Sequence, residues 1–257
     1  MRNLIKKLLL ISILILNYST VYASDIETIH IFVALCDNKY QGIVKVPEAI
    51  GNGQNPKNNL YWGAAYGIKT FFNKSKEWTL IKSEKIDSTI LERVIFKHKS
   101  KNCYVIADAY DGQYIKTSIE DFLKSSAGIE KDSIQVDGKT LGIKGNTKLL
   151  AFIGHNGLMD FDIEGDFTNE DGVERDAIIL SCYSKKYFSK HLKNSNVNPL
   201  LWTTGFMAPE AYTVHAAIYA YTNKENSSRV RERSAEAYSK YQRCSLKAAK
   251  NLLVTGW

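Results

Sequence analysis

The sequence predicts one α/β domain built on a mainly parallel sheet with helices on both faces. Three observations point there. The segments "TIHIFVALC" (28–36), "CYVIADAY" (103–110), "KLLAFIG" (148–154) and "DAIILSC" (176–182) are apolar almost throughout and rich in β-branched residues. That is the pattern of strands covered on two faces rather than one. Between and after them, apolar residues recur three and four apart, as on helices that lie against a sheet. Strand and helix patterns alternate along the chain, the order of crossover units that generate parallel pairing. At 257 residues, 44% hydrophobic and 24% charged, the chain is long enough for one sizeable core and short for two.

The elements follow in order. Residues 28–36 form the first strand, and the polar, Gly-, Asn- and Pro-containing stretch 37–58 is a long loop. Tyr61, Ala64, Ala65, Ile68, Phe71 and Phe72 carry helical spacing. "WTLIKSEKI" reads as an edge strand and "ILERVIFKH" as a short helix or strand, the two periods being mixed there. After the strand at 103–110, Ser118 and Asp121 offer a capping box for a short helix over "TSIEDFLKS". "DGKTLGIKGN" contains two glycine turns, a hairpin or loop. The strands ending at His155 and Cys182 come next, joined by the acidic connection "DIEGDFTNEDGVER". A helix with Tyr187, Phe188 and Leu192 inward follows, then a strand over "NPLLWTT". Pro209 suits the first turn of a helix that buries Val214, Ala217, Ile218 and Tyr221. One long helix is expected from about Arg231 to Leu253, with Ala235, Tyr238, Ala249 and Leu252 inward.

Ahead of this domain, "MRNLIKK", "LLLISILIL" and "VYAS" supply a positive start, a short apolar core and small residues at a cleavage position. Met1 to Ala23 is therefore expected to be a cleaved signal peptide, its apolar run being well short of the ~20 residues that span a bilayer. The mature chain, 24–257, is then a single domain acting outside the cytoplasm, periplasmic or secreted, without membrane insertion. The formal charge of +7 falls to +4 once Arg2, Lys6 and Lys7 leave with the segment. The remaining cations are scattered, and the densest group, "SSRVRER" (227–233), reads as a solvated helix start rather than a nucleic-acid surface.

Cys36, Cys103, Cys182 and Cys244 lie far apart and form no C-x-x-C pair, which argues against a zinc or thioredoxin-like site. In an oxidising compartment four cysteines permit two disulfides, and that is the structural alternative for Cys182. His30, His98, His191 and His215 form no metalloprotease spacing, and the chain has no G-x-S-x-G elbow, P-loop or dinucleotide fingerprint. No metal or other cofactor is expected. Asp160, Asp162 and Asp166 lack the twelve-residue calcium pattern and read as a solvated acidic loop.

His155 and Cys182 each stand just beyond the carboxyl end of an expected parallel strand, where open α/β sheets collect ligands. A thiol attacks a carbonyl as thiolate, and an imidazole beside it takes the proton and returns it to a leaving amine. Backbone N–H groups at the start of the helix after Cys182 favour a thiolate and an oxyanion there. "FIGHNG" and "ILSCYS", in this order within an α/β domain, resemble the clan CD cysteine peptidases of the caspase-hemoglobinase fold. The resemblance covers most of the mature chain, although only about a dozen residues carry it. It implies a three-layer sandwich, Cys182 as nucleophile, His155 as general base and acid, and cleavage of a peptide or protein after one selected side chain. It also implies that the N–H of Cys182 and of a glycine following the histidine bind the oxyanion. Here Asn156 directly follows His155, so that glycine is Gly157. The fold's specificity pocket draws on the segment after the next strand, near Trp202 and "TTGFMAPE", with Trp202 as core the alternative. A non-catalytic extracytoplasmic binding protein on the same scaffold is the second reading.

Overall fold

The computed structural model describes residues 26–257. The expected signal peptide, Met1 to Ala23, lies outside the described residues. An eight-stranded sheet runs in the order β10-β9-β8-β7-β1-β4-β3-β2, and β5 and β6 form a separate hairpin. β1 (Glu27–Ala34) is central and pairs in parallel with β4 (Cys103–Tyr110) on one side and β7 (Leu149–Ile153) on the other. β7 continues in parallel to β8 (Arg175–Leu180), and β8 to β9 (Val197–Thr203). The sheet is mixed at its margins. β2 (Trp78–Glu84) and β3 (Ile90–His98) add antiparallel beside β4, and β10 (Leu253–Val254) adds antiparallel to β9.

Alternation along the strands divides the core into layers. Ile29, Ile31 and Val33 of β1 face one side, packing with α1 (Ile68–Asn73), α4 (Ala211–Thr222), α5 (Ser227–Gln242) and α6 (Leu246–Leu252). Phe32 and Ala34 face the other, against α2 (Ile115–Ser126) and α3 (Ser184–Leu192). Both faces being covered explains why the central strands read as continuous apolar runs. The chain is thus a three-layer α/β sandwich with a largely parallel sheet. Among the described residues no helix is long and apolar enough to cross a membrane.

The structure decides between the alternatives open for some elements and differs from the expectation for others. "ILERVIFKH" is a strand, and with "WTLIKSE" it forms the antiparallel hairpin β2–β3. Ser118 does not cap α2, which starts three residues earlier. Its buried hydroxyl has no partner, and Asp121 accepts instead from the Tyr110 hydroxyl at 2.8 Å. The entry turn is capped by Asp111, which accepts from the Gln113 N–H. "DGKTLGIKGN" contributes to the hairpin of β5 (Lys131–Val136) and β6 (Lys139–Lys144). Its turn residues Asp137 and Gly138 both take positive φ, as a two-residue I′ turn requires. The single long helix expected to the C-terminus is two helices and a short strand. Arg243 turns left-handed at φ 52°, and Ser245 then caps α6 by accepting from the Ala248 N–H.

Candidate active site

In sheet order β1 lies between β4 and β7, so the chain reverses its direction of growth at β1, leaving a crevice beyond the carboxyl ends of β1 and β7. A cavity of about 360 Å³ occupies this end of the sheet. Its walls come from the loops after four parallel strands: Ile43, Val44, Val46, Leu60 and Tyr61 after β1, Gly154, His155 and Met159 after β7, Cys182 after β8, and Phe206 to Glu210 after β9. Cys182 and His155 therefore share one cavity. A larger, more open depression of about 700 Å³ near α1, β2 and β3, lined by Lys69, Lys74, Lys85 and Glu92 among others, contains neither.

The histidine turn is fixed by close approach. Gly154 has φ +146°, and a Cβ there would stand 2.7 Å from the Ala34 carbonyl oxygen at the end of β1, so only glycine fits. The Gly154 N–H donates to the Leu180 carbonyl at 3.3 Å, tying this turn to the strand that delivers the cysteine. Imidazole Nε2 of His155 lies 2.5 Å from Asp160 Oδ2, and the same carboxylate oxygen accepts from the Gly42 N–H at 3.3 Å. Asp160 thus holds the imidazole from behind and joins it to the cavity wall after β1. Asp160, Asp162 and Asp166 are all exposed, as a solvated acidic loop implies, and Asp162 and Asp166 pair with Lys190 and Thr168; Asp160 in addition holds the catalytic candidate His155.

Asn156, the departure from the resemblance, has a structural role. Its amide Nδ2 donates to the Cys182 carbonyl at 2.6 Å, and its Oδ1 accepts from the Leu158 N–H at 3.2 Å. One buried side chain thereby caps the turn after the histidine and clamps it to the cysteine loop. Gly157 is buried against Phe161 and is not among the residues that line the cavity, and Gly154 is.

Cys182 follows β8 after Ser181 and is anchored from β9. The Thr203 hydroxyl donates to the Ser181 carbonyl, Ser184 and Thr203 exchange hydrogen bonds, and the Tyr183 N–H donates to the Gly205 carbonyl at 2.9 Å. Tyr183 takes a left-handed φ of 51°, turning the chain into α3. Because the Tyr183 and Ser184 N–H groups are committed to Gly205 and Thr203, they do not serve the cavity as expected of the helix start. The Met207 N–H donates to Cys182 Sγ at 3.5 Å, and Sγ lies 3.6 Å from the Met207 carbonyl.

All four cysteines are free, so the disulfide alternative for Cys182 is not realised. Burial pushes the Cys36 thiol up to about 11 and the Cys103 thiol up to about 12, so both remain protonated in the core. Cys182 and Cys244 are the partly exposed pair. Tyr61, on the cavity wall, is raised well above its ordinary value by burial, with Cys36 and Cys182 adding to the effect, and stays a neutral phenol. Trp202 belongs to the core, fully buried in the α2–α3 layer, while Phe206 to Glu210 of the same segment line the cavity. His215 sits inside α4 between Phe71 and Phe72, its Nε2 3.0 Å from the Ser75 hydroxyl.

Comparison with protein-family models, curated proteins and solved structures finds no significant match for this chain. Cys182 and His155 were visible in the sequence as polar groups at the ends of apolar runs. The roles of Asp160 and Asn156 were not, whereas residues 206–210 lie in "TTGFMAPE", the segment expected to contribute to a specificity pocket. A cap residue before "GLM" was a usable local signal for Asn156, but its bond to Cys182 spans 26 positions and has no local signature.

Proposed function

We propose that this chain is a cysteine endopeptidase of the caspase-hemoglobinase type, acting outside the cytoplasm on peptide or protein substrates. The observation that carries the reading is the meeting of a free, partly exposed thiol and an oriented imidazole in one cavity at the carboxyl ends of adjacent parallel strands. The order of strands, the "FIGHNG" and "ILSCYS" turns and the leader-like N-terminus support it.

The reaction follows from the partners. With Nε2 turned to Asp160, Nδ1 is the nitrogen left to accept the thiol proton. The sulfur attacks the scissile carbonyl carbon, and the negative charge passes to the carbonyl oxygen. The Cys182 N–H is the donor left at that corner to receive the oxyanion. The imidazolium then protonates the departing amine, leaving a thioester on Cys182. Water, deprotonated by the same imidazole, hydrolyses the thioester and restores the thiol.

Alkylation tests the reading. Iodoacetamide applied to the native mature chain is expected to modify Cys182 well ahead of Cys244, and His155→Ala to remove that advantage. Mass mapping that finds Cys182 no faster than Cys244, or equally fast without the histidine, rejects the dyad and favours a binding protein on this scaffold. Asp160 acts as a positioning residue, since its carboxylate binds the imidazole Nε2 and the Gly42 N–H and is not itself on the cavity lining. Asp160→Asn is expected to lower kcat by roughly tenfold or more at unchanged KM and melting temperature. An equal loss in KM would instead mark Asp160 as part of the substrate-binding wall.

A further inference from the structure

Among the residues lining the cavity, Glu210 is the one with an acidic or basic side chain apart from His155, and the proposed peptidase chemistry does not use it. Glu210 stands at the entry to α4 and is one of the residues that line the cavity. The walls leading from Cys182 towards it are apolar, among them Val46, Leu60, Met207 and Pro209. Glu210 Oε2 accepts from the Tyr212 hydroxyl at 3.1 Å and from Gln242 Nε2 at 3.3 Å, so neutral donors hold it in place. No lysine or arginine lines the cavity. Burial pushes the carboxyl up, and the Tyr212 hydrogen bond offsets that only in part. A half-buried carboxylate without a cation is costly and gains most from a cationic partner that enters the same space. Phe206 and Val44, 70% and 91% exposed, flank the opening as large apolar surfaces facing solvent.

We propose that Glu210 selects the substrate: the residue on the acyl side of the scissile bond is lysine or arginine, its head paired with Glu210. This rests on the peptidase reading. The methylene stem of such a side chain matches the apolar walls, and its head supplies the missing positive charge. Aspartate or glutamate in the same position would place two carboxylates together and be rejected.

Fluorogenic peptides that differ only at this position, carrying Lys, Arg, norleucine, Asn or Asp, test the assignment on the mature chain with reductant present. Norleucine keeps the stem of lysine and lacks its charge. Wild type is expected to cleave the Lys or Arg peptide about 30-fold or more faster in kcat/KM than the norleucine peptide. Glu210→Gln is expected to erase that preference while leaving the norleucine rate within about threefold. As a check that needs no variant, agmatine, a free guanidinium on an aliphatic stem, should protect wild-type Cys182 from iodoacetamide. A wild type that cleaves norleucine, Asn or Asp peptides as fast as Lys and Arg overturns the assignment and leaves the peptidase standing. So does a Glu210→Gln variant that slows every peptide alike, or alkylation unaffected by agmatine. Failure to cleave any peptide overturns the peptidase reading and this proposal with it.

Discussion

Cys182→Ala and His155→Ala each lower kcat/KM for any cleaved peptide by about 10⁴-fold or more, and the double variant is no slower than either single one. The reason is that the two side chains perform one step. Without the imidazole, the thiol keeps its proton and the leaving amine has no acid. Without the sulfur, the imidazole has nothing to activate in the first step. Neither change should disturb the fold, because the architecture of both turns rests on other groups: Gly154 against Ala34, Asn156 on the Cys182 carbonyl, and Thr203 on the Ser181 carbonyl. Unfolding curves for the variants are therefore expected to overlay the wild type. Losses that multiply in the double variant would mean that the two residues act independently, and the shared-proton mechanism would have to be abandoned.

What the sequence revealed, and what it hid, divides along the range of the interactions. β1, β4, β7 and β8 were legible because burial on two faces leaves a local signature, an unbroken apolar run. His155 and Cys182 were legible because each interrupts such a run at its end. The helix expected from Tyr61 was only partly right, since α1 begins at Ile68. Asn59 explains the difference. Its side chain accepts from the Cys36 and Tyr61 N–H groups and donates to the Cys36 and Asn52 carbonyls, and this pulls 59–67 into turns against β1. Gly63 lets that turn close, since a Cβ there would sit 2.0 Å from the Lys57 carbonyl oxygen. The apolar residues over 61–66 therefore meet the core from a loop that mimics helical spacing. Arg243 and Ser245 broke the last helix by a left-handed residue and a cap, features that a continuing charge and alanine pattern conceals. Arg231, read as part of a solvated cluster, instead donates to the carbonyls of Lys250 and Leu253, joining the two helices. The parts played by Asp160, read in an acidic loop, and by Glu210, read within "TTGFMAPE", were hidden for a different reason. Their significance lies in what the closed fold sets opposite them, an imidazole in one case and apolar walls in the other.

Asp108→Ala is expected to destabilise the fold by about 3–5 kcal/mol, the largest effect anticipated outside the cavity, because it strands a buried cation. Asp108 lies in the middle of β4, fully buried, and Arg93 of β3 reaches it with two hydrogen bonds, Nε at 2.6 Å and Nη2 at 2.7 Å. His30 of β1 lies with Nε2 3.0 Å from the same carboxylate, while its Nδ1 accepts from the Lys144 N–H of β6. Burial pushes the Asp108 carboxyl up, but the hydrogen bonds from Arg93 and His30 and the charge of Arg93 prevail and hold it at about 2. The depressed value sets the sign of the pH dependence. The carboxylate contributes about 2 kcal/mol that is fully present above pH ~4, where the unfolded chain is also ionised. That contribution is lost as the pH falls through about 2. Urea unfolding between pH 5 and pH 2 should show this loss in the wild type and not in Asp108→Leu/Arg93→Met. The paired variant should also cost less than Asp108→Ala alone, since it leaves no unpaired guanidinium and orphans only the His30 N–H. If it were the more damaging of the two, the cluster would be stabilising in its own right rather than merely costly to break. The consequence reaches the cavity, because His30 pins the β5–β6 hairpin to β1, and the chain leaves that hairpin directly into β7, the strand that ends at His155. A loosened cluster should therefore slow the alkylation of Cys182 at temperatures where the fold as a whole persists, whereas unchanged alkylation would confine its role to stability.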